Sequence, residues 1–133
     1  MTYLLDTNIC IYGMKGLHQS ITDKLLSVHP DEIAVSSVTI SELEYGAAKS
    51  NWSDRTRMKF IEFLSSFHVL DYTAKDARIY GPIREELERR GAPIGAYDLM
   101  IAAQAISNDL ILVTHNTKEF SRIQGLRLED WVE

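Results

Sequence analysis

The chain carries a single cysteine, Cys10, which excludes an internal disulfide and fits a reducing compartment. With no histidine or second cysteine at a ligand spacing, Cys10 reads as core filler. No apolar run approaches the ~20 residues that span a bilayer. The opening residues, MTYLLDTN, lack the basic segment and cleavage site of a secretory leader, so the expected compartment is the cytoplasm. Positive charge is also scarce: 14 Lys and Arg stand against 19 Asp and Glu, for a net charge of −5. Taken alone this argues against broad nucleic-acid binding, because phosphates need cations. Net charge averages over faces, however, and an acidic active site would itself supply several of the negatives. Repeats, low-complexity tracts and long linkers are absent as well. The 133 residues therefore read as one domain, 1–133, long enough to bury a sizeable core.

What is present alternates between two periodicities. The short apolar runs YLL (3–5), IAV (33–35), HVL (68–70) and LILVT (110–114) read as strands buried on both faces, and a weaker fifth lies near Leu126–Leu128. Helical patterns fill the gaps: Ile9–Met14, Ile21–Val28, Ile40–Ala48, Arg55–Phe67, Thr73–Arg90 and Tyr97–Ile106. Such alternation predicts an α/β fold of three layers, with a five-stranded, mostly parallel sheet between helices. Prolines number three, and Pro82, after Gly81, falls inside the Thr73–Arg90 pattern. Proline removes a backbone donor and clashes with the previous turn, so a kink or two helices are expected there. Gly91 and Pro93 should then close the segment. The Arg55–Phe67 helix is apolar over more than one face, which suits a protein interface.

Past Tyr97, the stretch IGAYDLMIAAQAI (94–106) is apolar almost all round and holds one charge, Asp98. No Lys or Arg lies between Arg90 and Lys118, so a partner for that carboxylate must come from elsewhere in the fold. Three other places offer acidic or amide groups. Asp6 follows the first strand, Glu42 sits in TISE, and Asn116 and Glu119 sit in NTKE after the LILVT strand. Each has a local explanation. Asp6 suits a helix N-cap, Thr39 with Glu42 and Asn116 with Glu119 suit capping boxes, and Asp98 suits a first helical turn. Together they suggest more, because parallel strands all end on one rim, where ligands of open α/β sheets bind. Two carboxylates ~6 Å apart at an effective dielectric near 20 repel by roughly 3 kcal/mol. A rim of several needs a cation or a captured proton. Hard oxygen donors without His or Cys select Mg²⁺ or Mn²⁺ over zinc.

The stretches LLDTNICIY, SSVTISELEYGA (36–47), GAPIGAYDLMIAAQA (91–105), LVTHNTKEF (112–120) and GLRLEDW (125–131) resemble the PIN-domain ribonucleases, in particular the VapC-type toxins of bacterial toxin–antitoxin modules. The resemblance implies a PIN-like five-stranded parallel sheet and a Mg²⁺-dependent endoribonuclease, with Mn²⁺ able to substitute. Asp6, Glu42 and Asp98 match the family's three acidic metal ligands. Asn116 stands where many members have a fourth Asp, with Glu119 the nearest remaining carboxylate, so a second metal is left open. Thr7, Asn8 and Thr114 look like groups that orient the carboxylates. The implied substrate is structured RNA, a tRNA and best the initiator tRNA anticodon stem-loop. The implied partners are a VapB-like antitoxin, whose tail offers an Arg to the acidic cleft, and a second copy of the chain as a homodimer. Lys49, Arg55, Arg57 and Arg84 are candidates for RNA phosphates, although KSNWSDRTRMK (49–59) equally suits a solvated helix start. Arg89 and Arg90 read better as i,i+4 partners of Glu85 and Glu86. Two other readings remain: a catalytically silent module of the same fold, and a haloacid-dehalogenase-type phosphohydrolase using Asp6 as nucleophile. The latter expects an Asp where this chain has Asn8.

Overall fold

Four of the described strands are three residues long and one is four, and all are laid in parallel register. A computed structural model describes residues 1–132; Glu133, the end of the expected domain, lies outside the described residues. Along the chain run β1 (Tyr3–Leu5), α1 (Thr7–Lys15), α2 (Gln19–Ser27), β2 (Ile33–Ser36), α3 (Ser37–Lys49), α4 (Asp54–Leu64) and β3 (His68–Leu70). There follow α5 (Ala74–Arg89), α6 (Ala96–Ser107), β4 (Ile111–Val113), α7 (Thr117–Phe120) and β5 (Arg127–Glu129). The strands pair in the order β3-β2-β1-β4-β5, every pair parallel. Leu4 lies beside Ala34 and Leu112, and Leu5 beside Val35 and Val113.

Because side chains alternate across a strand, those two rows enter different cores. Leu4, Ala34 and Leu112 pack with Leu87 of α5 and with Leu99, Ile101, Ala102 and Ala105 of α6. Leu5, Val35 and Val113 pack with Ile9 and Cys10 of α1, Ile21 of α2, Leu43 of α3 and Phe60 of α4. Helices thus cover both faces, and each fully buried Leu or Ile contributes roughly 1.5–3 kcal/mol. The nearly all-apolar α6 is buried from Ile101 to Ala105. Its one polar core residue, Gln104, accepts from the Ser36 hydroxyl and donates to the Leu70 carbonyl at 3.1 Å, tying α6 to β2 and β3.

Two expectations need correcting. His68 and Val69 of β3 are exposed, so this strand is not buried on both faces; it is the sheet edge, flanked only by β2. The Thr73–Arg90 segment is one helix rather than two, running through Pro82. Both Pro82 and Arg78, whose carbonyl loses its helical donor, are exposed, and water can satisfy the freed oxygen. The expected stop holds: Gly91 adopts a left-handed φ of 72° beyond the last turn. Among the described residues no helix is long and apolar enough to cross a membrane.

Candidate active site

The strand order runs outward in opposite directions from β1 and β4, making their junction the sheet's switch point, where open α/β sheets bind ligands. Asp6 stands there. Its N–H reaches the Val113 carbonyl of β4 at 3.0 Å, and its Oδ1 accepts from the Ile9 N–H at 2.8 Å, capping α1. Capping and site roles coincide, since that bond also fixes the carboxylate at the rim. Asp6 is only 5% exposed. Burial pushes its carboxyl above the ordinary range, with Glu42 and Asp130 adding to the rise, while the Thr114 hydroxyl and the Ile9 N–H oppose it. Thr114 is itself fully buried and accepts from the Asn116 N–H at 3.0 Å.

Glu42 arrives differently from expectation. The sequence suggests Thr39 as N-cap with Glu42 reaching back to it, but β2 leads straight into α3 and Ser36 takes the cap, accepting from the Val38 N–H. Thr39 therefore lies inside the helix, fully buried, its hydroxyl 3.1 Å from that of Thr7. Relieved of capping, Glu42 accepts from the Thr7 hydroxyl at 2.8 Å, so α1 orients a carboxylate of α3.

Asp98 occupies the first turn of α6 and is half-buried. Its carboxyl is pushed up to about 6, first by burial and then by Glu42, Asp6 and Glu119. Four acidic side chains from four segments thus act on one another across the rim. None of the four is ion-paired to Lys, Arg or His among the described residues. The second expected capping box is absent too. Asn116 makes no side-chain cap; its amide donates instead to Glu119 at 2.5 Å and holds that carboxylate. Asn8 is exposed and makes no side-chain hydrogen bond among the described residues, because the turn fixed by Asp6 and Ile9 faces position 8 outward.

Sequence reasoning missed two groups. Asp130, directly after β5, lies near enough to Asp6 to raise its pKa, and His115 Nδ1 lies 3.0 Å from the Asp130 carboxylate. The signal was available: Asp130 obeys the same strand-end rule that selects Asp6.

The basic candidates are dispersed. Arg57 is engaged by Glu44 through two bonds of 3.1 and 2.7 Å, and Arg84 by Glu88 and the Tyr80 hydroxyl. Arg55 is exposed at the start of α4, and the Lys49 ammonium lies 5.9 Å from the centre of the Tyr45 ring. Arg89 and Arg90 pair with Glu85 and Glu86 as the spacing suggests.

As donors, the rim carboxylates suit a hard divalent cation: they are all oxygen, mutually repelling and, among the described residues, free of a protein cation. No three Asp, Glu, His or Cys side chains among the described residues are drawn together at ligand separation, so the acids stand apart rather than as a closed tripod.

Known proteins share this architecture. The family described as PIN domain matches residues 3–126. The tRNA(fMet)-specific endonuclease VapC of Shigella flexneri is 45% identical over 131 residues, 98% of each chain. Ribonuclease VapC2 of Rickettsia felis is 43% identical over 132 residues, again 98% of each. Among solved structures, VapBC2 from Rickettsia felis bound to a DNA fragment from its promoter superposes with a TM-score of 0.91 at 42% identity, covering 98% of this chain and 99% of that one. DNA-bound VapBC from Salmonella typhimurium gives 0.91 at 42% identity, covering 98% of both. The phosphohydrolase alternative is thereby set aside, and the chain belongs to the PIN-domain family, within its VapC ribonuclease branch.

Proposed function

We propose that this chain is the toxin of a toxin–antitoxin pair, a metal-dependent endoribonuclease that inhibits translation by hydrolysing one phosphodiester bond in structured RNA. The substrate class is tRNA, and the initiator tRNA anticodon stem-loop is the first candidate, supported by the tRNA(fMet)-specific relative at 45% identity. One observation carries the reading: Asp98 is lifted to about 6, first by burial and then by Glu42, Asp6 and Glu119, and no Lys, Arg or His pairs with any of the four among the described residues. That arrangement is a standing cost unless a cation is drawn into it.

Asp6, Glu42 and Asp98 are the residues that would hold Mg²⁺, or Mn²⁺ in its place; bound there, the ion supplies Lewis acidity toward the phosphate and a more acidic water. The chain's own part is orientation and proton handling. The Ile9 N–H and Thr114 hold Asp6, and Thr7 holds Glu42. The Asn116 amide holds Glu119. Asp98 releases its proton as the pH rises through about 6, so a cation held there would favour its ionised form. Glu42 or Glu119 positions or deprotonates the attacking water. Hydrolysis of this kind leaves a 3′-hydroxyl and a 5′-phosphate, with the RNA 2′-hydroxyl a bystander.

The expected setting is the cytoplasm, with residues 1–133 acting as one PIN domain and as a homodimer. A VapB-like antitoxin would silence the nuclease by laying a cationic tail across the acidic rim, a charge pairing the toxin–antitoxin neighbours make reasonable. The test is incubation of partner-free protein with total tRNA, with and without Mg²⁺, beside Asp98→Asn. Discrete Mg²⁺-dependent fragments from the wild type alone are expected. No cleavage, together with a melting temperature indifferent to Mg²⁺, would favour the silent module of the same fold.

A further inference from the structure

Beside the carboxylates lies a cleft of about 400 Å³ lined by Ser41, Glu42, Tyr45 and Tyr97. Glu42 belongs to both, so the cleft opens directly off the acidic rim. Its aromatic walls are tied to the acids by the backbone. Tyr97 immediately precedes Asp98, and Tyr45 follows Glu42 by three residues, on the same side of α3. Both residues are open to solvent, 60% exposed for Tyr97 and 66% for Tyr45. Two exposed aromatic surfaces around one concavity are apolar area awaiting a partner with a flat face. The Lys49 ammonium over the Tyr45 ring adds a positive charge at the edge of an otherwise acidic region.

We infer that this cleft is the seat of an unpaired nucleobase flanking the scissile phosphate, stacked against Tyr97 and Tyr45, with Lys49 meeting the phosphate of the neighbouring nucleotide. The inference rests on the ribonuclease reading above and narrows its substrate class. A base inside a duplex is already stacked and cannot enter a concave site. A base splayed from a loop has free faces, and loops are where proteins read RNA through aromatic stacking. Lys49 favours a nucleic-acid occupant over an apolar protein side chain, because only the former brings an anion to pair with it. The cleft therefore explains how an acidic protein selects a loop: the stacking supplies affinity that the net charge of −5 does not.

The test uses Tyr97→Ala, Tyr45→Ala and the corresponding Phe variants in the full-length protein. Cleavage of total tRNA with Mg²⁺ is read as KM and kcat separately. Quenching of 2-aminopurine in a single-stranded oligonucleotide is read in the Asp98→Asn background, where no cleavage interferes. Loss of a stacked base should raise KM on the order of tenfold in the Ala variants, and abolish most of the quenching. The Phe variants, which keep the ring, restore both. Thermal unfolding should be unchanged throughout, since the rings are exposed. Wild-type KM and quenching in both Ala variants, with the wild type cutting tRNA normally, would overturn the base seat and leave the ribonuclease reading intact. Ala variants that keep RNA cleavage but lose inhibition by antitoxin would reassign the cleft to a protein partner. A wild type that cuts no RNA overturns both readings together.

Discussion

Replacing Asp98 with Asn should make the metal-free protein more stable at neutral pH while destroying its activity. The Asp98 carboxyl is raised from its ordinary 3.8 to about 6, first by burial. Folded Asp98 holds its proton more tightly than the unfolded chain does. That contribution to stability is complete below pH ~3.8 and is lost as the pH rises through ~6. For a fully enclosed group the loss would be about 3 kcal/mol. Asp98 is half-buried, so solvent screening reduces it to about 1–2 kcal/mol. The amide escapes this penalty because it never ionises. In EDTA at pH 7.5, Asp98→Asn should unfold about 3–8 °C above the wild type, and at pH 4 the two should nearly coincide. Adding Mg²⁺ at pH 7.5 should raise the wild type and close most of the gap, since a ligand that binds only the folded state stabilises it. Thermal unfolding followed by circular dichroism at the two pH values, with EDTA and with Mg²⁺, reads all of this. A variant less stable than wild type at pH 7.5 in EDTA would refute the claim that the rim stores the cost of a half-buried, unpaired carboxylate raised further by its acidic neighbours.

Other substitutions probe separate links. Thr7→Val removes the donor that orients Glu42 and should lower kcat/KM about tenfold with little change in Tm, checked by steady-state cleavage and unfolding. Gln104→Leu leaves the Ser36 hydroxyl and the Leu70 carbonyl without their partner in the core, for a loss of about 2–4 kcal/mol in urea unfolding. Pro82→Ala restores a helical N–H to the interior of α5 and should add about 2 kcal/mol in the same assay, the helical gain being partly offset by a freer unfolded chain.

The sheet and its rim were legible because strand runs such as YLL and LILVT are short, apolar and separated by helical patterns, and parallel topology then forces their ends together. What period and composition do not encode is rank within the sheet. HVL differs from IAV by one polar residue, His68, and that single position is too little to mark it as an edge strand, so the exposure of Val69 was hidden. Pro82 misled for a related reason. Its cost depends on whether the orphaned carbonyl meets water or protein, and the solvent exposure of Arg78 is a tertiary fact. The acids Asp6, Glu42 and Asp98 were found through position and the lack of a nearby cation. Asp130 was passed over because β5 was the weakest strand, and a strand-end rule is only as good as the strand it starts from.

The capping patterns teach a finer lesson about how such a rim forms. A capping box and a catalytic carboxylate demand the same residue types at the same junction, so the sequence TISE does not say which is meant. The decision falls to the residue that begins the helix. Ser36, the last residue of β2, captures the free N–H of α3, and this places Thr39 inside the helix and leaves Glu42 to accept from Thr7. At α7 the deciding contact is Thr114, which bonds the Asn116 N–H and leaves the Asn116 amide to hold Glu119. At α1 no substitute exists, and Asp6 both caps the helix through the Ile9 N–H and takes the Thr114 hydroxyl, which fixes its carboxylate at the site. In each case a hydroxyl or a spare lone pair absorbs the demand of the helix terminus, and a carboxylate is left to act.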